Sequence, residues 1–331
     1  MMSHRPLLAW ALPLLLLALV FWLSLFSWSS IAISPGQALT ALLPGQAKTL
    51  PEALVWNLRL PRSLVAMLLG ASMALAGCLL QTLTRNPLAS PSLLGVNAGA
   101  ALAMVLVSAF NPAWSSGYSV ALLAAAGGGL SWAAVMLLGR GWQAAGDRSR
   151  LILAGVAVSA LCAALTRATL LLAEDHTWGI LHWLAGGVSH VRWREFWQLL
   201  PFSAVLMPFA WLLAGRLNLL QLGDDRAHTL GARPGLLRGI VNVLAVILVG
   251  SCVSVAGPVA FLGLLMPHIA RAWTGEDLRR VMPACMLGGA LLMLLADIVA
   301  RGLAFPAELP AGAVVALVGA PCFIWLVRRR T

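Results

Sequence analysis

The feature that most restricts what this chain can fold into is the spacing of its apolar runs. Stretches of about twenty residues with almost no charge recur along it, separated by short polar loops. About twenty apolar residues is the length an α-helix needs to cross a ~30 Å hydrocarbon core. Backbone polar groups in lipid must be satisfied internally, so only helices and closed barrels can span. The runs lack the alternation of barrel strands. The expected fold is therefore all-α, a polytopic membrane protein. Composition agrees, with 60% hydrophobic and 10% charged residues, against about 25% charged in soluble domains.

Ten candidate spans can be placed. They cover about 7–32, 61–83, 93–110, 118–139, 150–172, 195–215, two that share residues 239–273, about 281–302 and about 310–327. The shared run is too long for one span and tight for two. Ala256-Gly257-Pro258 is its natural break, since Gly admits unusual dihedrals and Pro cannot continue a helix. The first run is too long for a signal-peptide core and reads as a retained span. Residues 1–331 read as one transmembrane domain. Two glycine-framed stretches, 70–77 and 250–257, echo each other weakly; an inverted repeat and ordinary small-residue helix packing both account for that.

The net charge of +11 follows from topology and anionic-lipid contact rather than nucleic acid. With ten spans both termini share a side. One side then holds Arg5, Arg85, Arg140, Arg148, Arg150, Arg216, Arg226, Arg233, Arg238, Arg271, Arg279, Arg280 and Arg328–Arg330; the other holds Lys48, Arg59, Arg62, Arg192, Arg194 and Arg301. The bias places both termini in the cytoplasm. Arg59 and Arg62, in "NLRLPRS", then stand outside at the mouth of the second span, either as snorkelling anchors or as contacts for an acidic partner.

Little in the sequence suggests catalysis. There is no GxxxxGK[ST] phosphate loop, no HExxH and no GxSxG. The five cysteines lie in or beside apolar runs without CxxC spacing and read as packing residues. Neither a metal site nor a cofactor is implied. Acids inside spans are nearly absent; Asp297 is the exception, and Arg301, one turn on, is placed to neutralise it. An ion-coupled secondary transporter, the competing reading, would carry more buried ionisable groups. A membrane-embedded lipid enzyme would need convergent His, Asp or Glu, which is not evident. If the chain transports, its energy comes from elsewhere.

Three local features remain. The loop at 173–192 carries His176, His182 and His190 with Trp178 and Trp183; their spacing suits an interfacial helix better than a metal site. Arg167, inside the fifth span, either snorkels or faces a cavity that takes an anion. The segment 217–238 reads as one or two short helices, with Leu219, Leu220 and Leu222 on an apolar side and Asp224 and Asp225 at a helix start. Gly231 then ends the helix before Pro234. It is either a docking element for a soluble partner or an interfacial helix.

Taken together, several long motifs resemble the iron-siderophore and vitamin B12 permease family of ATP-driven importers. They are residues 59–100 ("RLPRSLVAMLLGASMALAG…"), 222–231 ("LGDDRAHTLG"), 255–271 ("VAGPVAFLGLLMPHIAR") and 296–329. "LLLAEDHTWGILHWLAGGVSH" and "NLRLPRSLVAMLLGAS" are closest to the ferric citrate members rather than the B12 members. Ferric citrate is thus the implied cargo, with another siderophore or a corrinoid as the alternative. The resemblance implies the type II ABC importer permease fold, ten spans and a bacterial inner-membrane location. It also implies a second homologous permease subunit, two cytoplasmic ATPase subunits and a periplasmic substrate-binding protein. By the same resemblance Arg59, Arg62 and Arg301 would receive the binding protein. Leu222, Gly223, Asp224, Ala227, Leu230 and Gly231 would form the ATPase coupling loop. On that reading, Arg59→Glu with Arg62→Glu leaves the complex assembled and weakens docking.

Overall fold

The computed structural model of the protein describes residues 5–43, 49–110, 118–139, 148–172 and 177–328. Among these residues there are helices and no strand. In chain order the helices are α1 (Arg5–Phe26), α2 (Pro35–Thr40), α3 (Leu50–Leu54), a π-helical turn (Val55–Arg59), α4 (Leu60–Thr84), α5 (Val96–Phe110), α6 (Tyr118–Leu138) and α7 (Arg148–Leu172). They continue with α8 (Thr177–Leu184), α9 (Trp193–Leu212), α10 (Ala214–Gln221), α11 (Asp224–Thr229), α12 (Pro234–Ala256), α13 (Leu262–Thr274), α14 (Leu278–Leu303) and α15 (Ala311–Arg328).

A helix stands at each place where a span is expected. The lengths are uneven. Among the described residues five helices are long and apolar enough to cross a bilayer alone, or six if α9 and α10, bent by 55° at Leu213, count as one span. Val96–Phe110, Trp10–Phe26 and Ala311–Ile324 are shorter apolar helices. The break at Gly257 is present: α12 ends at Ala256, Gly257 has φ +71°, and the chain re-enters a helix only at Leu262. Leu130, Leu137, Leu153 and Leu171 are each at least 70% exposed, as lipid-facing side chains are.

The second span begins earlier than hydropathy places it. Helix runs unbroken from Leu50 to Thr84 through the π-helical turn. The Glu52 carboxylate accepts the Thr49 backbone N–H at 2.9 Å, and Pro51 sits in the first turn, where a missing N–H costs nothing. Thr49-x-x-Glu52 is a legible start signal.

α4 is the axis of the bundle. It packs against α14, α12, α13 and α9, and most of its residues are buried. Two glycines make that closeness possible. A Cβ on Gly70 would collide with the Gly289 carbonyl of α14, and one on Gly77 with the Gly263 carbonyl of α13. These are backbone-on-backbone contacts, which only small residues allow. The echoing stretch 250–257 does similar work on α12, where Gly250 lies against the Ala125 backbone of α6. Four cysteines, Cys78, Cys162, Cys252 and Cys285, are buried as packing residues, while Cys322 on α15 is exposed.

Candidate functional site

The two ends of α4 carry the charged groups of interest. At the first end, Arg59 closes the π-helical turn and Arg62 lies in the first turn of α4. Arg62 donates through Nε and Nη2 to Asp297 Oδ1 at 3.0 and 2.8 Å, and through Nη1 to Glu308 Oε2 at 2.8 Å. Asp297 is fully buried and Arg62 nearly so. Arg301 Nη2 stands 3.1 Å from Asp297 Oδ2; neither atom has an aligned hydrogen bond, so this contact is a charge pair. The expected Asp297–Arg301 neutralisation is present, and Arg62 joins it from 235 residues away.

Of these arginines, two are turned inward. Arg301 is 1% exposed, and its Nη1 donates to the carbonyls of Ser24 and Ser27 at 3.0 and 3.1 Å. Those are last-turn and following carbonyls of α1, so Arg301 caps α1 and ties it to α14, a favourable place for a cation. Arg62 is 6% exposed. Neither presents a free guanidinium. Arg59 differs. The residue is only partly buried; its Nη2 donates to the Trp28 carbonyl at 3.0 Å, and its Nη1, itself a buried atom, has no acceptor among the described residues. Three arginines face two carboxylates, Asp297 and Glu308, leaving one surplus positive charge. Trp193 Nε1 donates to the Trp56 carbonyl at 3.0 Å, which brings the start of α9, with Arg192 and Arg194 exposed, to this same end.

At the second end the predicted segment 217–238 folds as α10, α11 and the start of α12. Leu217 and Leu220 are buried; Leu222 and Leu230 are 50% and 58% exposed. Ala227 is fully buried and seats α11. Gly223 and Gly231, flanking α11, have φ of +108° and +80° with open space around them. Conformation therefore selects glycine there. A groove of ≈ 430 Å³ beside α11 is lined by Leu219, Leu230, Leu236, Arg216 and Arg233. Asp224 Oδ1 accepts from Arg238 Nη2 at 2.8 Å and from Arg85 Nη2. Arg271 Nη1 donates to Gln81 Oε1 at 2.6 Å nearby. Arg85, Arg238 and Arg271 thus gather at this end of α4, and Arg59, Arg62 and Arg301 at the other.

The remaining sequence features do not converge. Arg167 is exposed on α7. His190 Nε2 contacts the Val255 carbonyl at 2.9 Å, beside a ≈ 290 Å³ cavity also walled by Trp183, Arg194, Glu195, Gln198 and Ser254. His176 and the side chains of His182 and Trp178 lie outside the described residues, as do Lys48, Arg140, Arg329 and Arg330. Among the described residues no group of His, Cys, Asp and Glu could hold a metal ion.

The FecCD transport family profile matches residues 15–329. The chain belongs to this family. It is 63% identical over 326 residues to the Fe(3+) dicitrate transport system permease protein FecC of Escherichia coli (strain K12), covering 98% of both chains. It is 39% identical over 280 residues to the Fe(3+)-citrate import system permease protein YfmD of Bacillus subtilis (strain 168), covering 84% of this chain and 82% of the relative. A solved metal-chelate type ABC transporter in an inward-facing conformation superposes with a TM-score of 0.81 at 30% identity, covering 98% of this chain and 100% of that one. As a FecCD member the chain is a multi-pass transport protein with the type II permease architecture.

Proposed function

We propose that this chain is the permease subunit of an ATP-driven importer that carries ferric citrate from periplasm to cytoplasm across a bacterial inner membrane. The observation that carries the reading is the pairing of unlike surfaces on the two ends of α4. One end has surplus arginine charge, with Arg192 and Arg194 exposed beside it. The other presents a short helix flanked by exposed Leu222 and Leu230. An acidic partner suits the first and a groove on a soluble partner suits the second. The first end faces the periplasm and a substrate-binding protein. The second end, with both termini, faces the cytoplasm and two ATPase subunits. A second homologous permease subunit completes the pathway. The 63% identity to the ferric dicitrate permease supports the choice of cargo. Ion coupling is disfavoured because Asp297, the buried acid among the described residues, is already engaged by two arginines.

Docking on this reading depends on Arg59. Arg59→Glu is expected to leave the folded complex intact and to weaken binding-protein affinity about tenfold, with the loss shrinking as salt rises. Titration of the complex with binding protein at two ionic strengths checks this; unchanged affinity at low salt contradicts it. The Arg62→Glu half of the double substitution belongs to folding instead, since it would set a third carboxylate against Asp297 and Glu308. At the other end, Leu230→Asp removes an exposed apolar contact without touching the core. It should abolish recovery of the ATPase subunits with the purified permease while the permease keeps its elution profile. Full recovery of the ATPase would contradict the assignment of residues 217–238 as the coupling segment.

A further inference from the structure

Arg85 ends α4 in the left-handed region, with φ 47° and ψ 34°. Glycine is the residue that favours that position at a helix end, and a side chain there is strained. An arginine at such a site calls for a reason, and its contacts give one. Nε donates to the Leu220 carbonyl at 2.9 Å, in the last turn of α10. Nη2 pairs with Asp224 in the first turn of α11. Asp224 is held from its other side by Arg238 of α12, whose Nη2 lies 2.8 Å from both carboxylate oxygens. One side chain at the end of α4 therefore fastens α10 and α11 together, and α12 closes the clasp.

The opposite end of α4 repeats the device. Arg62 and Arg301 share Asp297 as Arg85 and Arg238 share Asp224. Twenty-three residues of helix separate Arg62 from Arg85, about 35 Å at 1.5 Å per residue. Between the clasps, Gly70 and Gly77 bring the α4 backbone against α14 and α13, and close-packed elements shift as units rather than deform. Asp225, beside Asp224, is exposed and makes no ion pair among the described residues.

We propose that Arg85 is a positioning residue that locks the coupling helix α11 to α4, so that α4 carries the docking state of one face to the ATPase at the other. This rests on the assignment of α11 as the ATPase contact. The test uses the assembled complex, both permease subunits with the ATPase, in lipid nanodiscs with loaded binding protein. Arg85→Gly removes the guanidinium while suiting the backbone conformation, so folding is preserved. Expected is full retention of ATPase subunits, basal hydrolysis and binding-protein affinity. The stimulation of hydrolysis by binding protein falls about tenfold or more, within the usual range of coupling between sites. Asp224→Asn should lose stimulation similarly, and Asp225→Asn should stay within about twofold of the parent. The proposal is overturned if Arg85→Gly keeps parental stimulation, if it sheds the ATPase subunits, or if Asp225→Asn loses as much as Asp224→Asn. A parent preparation that never binds an ATPase would instead remove the assignment of α11, which separates the two failures.

Discussion

Replacing Asp297 by alanine is expected to abolish folded, membrane-inserted protein. The carboxylate is fully buried and faces Arg62 and Arg301, which are themselves buried. Removing one partner of a buried ion pair leaves uncompensated charge and costs about 3–5 kcal/mol, a large share of the 5–15 kcal/mol that holds an ordinary domain together. Here two guanidinium groups lose their partner at once, and Glu308, about one-third exposed, makes a direct ion pair only with Arg62 among the described residues. Asp297→Asn should be intermediate, because an amide oxygen still accepts from Arg62 while the charge is gone. Detergent-extracted yield and monodispersity on size exclusion give the ranking: parent, then Asn, then Ala. Parental yield for the Ala variant would show that the cluster is dispensable to the fold.

The second large effect is steric. Gly77→Leu places a branched side chain where α4 and α13 touch through their backbones. Ordinary overpacking costs about 1–3 kcal/mol because neighbouring side chains give way. At Gly77 the nearest atoms are the Gly263 main chain, which has no rotamer to change. The helices must separate, and the packing of α4 separates with them. Little folded protein is expected, with its apparent unfolding temperature at least about 10 °C below the parent, on a scale of several degrees per kcal/mol. Gly235→Leu, at the exposed start of α12 with open space around it, should be nearly silent. Equal stability of the two variants would show that backbone contact at Gly77 is not what holds α4.

Much of the architecture can be read from periodicity and punctuation, because helices in lipid answer to length and apolar content. The break at Gly257 is of this kind, as is the end of α11 at Gly231 before Pro234, and Asp297–Arg301 at four residues' spacing. Other features were within reach but quieter. Thr49-x-x-Glu52 marks the helix start that hydropathy delays to about residue 61. Ser34-Pro35-Gly36-Gln37 similarly opens α2, where Gln37 Oε1 accepts the Ser34 N–H at 2.9 Å. The ion clasps are different. Arg62 meets Asp297 and Arg85 meets Asp224 across 235 and 139 residues, and nothing local in either sequence neighbourhood specifies the partner. Charge grouping sets Arg62 and Arg301 on the same side, while only the packing of α1, α4 and α14 turns them inward.

The most direct measurement is uptake of radiolabelled ferric citrate into proteoliposomes containing this chain, its partner permease and the ATPase, with binding protein on one face. The proposed function predicts uptake that requires both enclosed ATP and the binding protein, persists when a protonophore collapses the proton gradient, and is lost when the ATPase is left out. Uptake by this chain alone, driven by a proton gradient without ATP or binding protein, would contradict it.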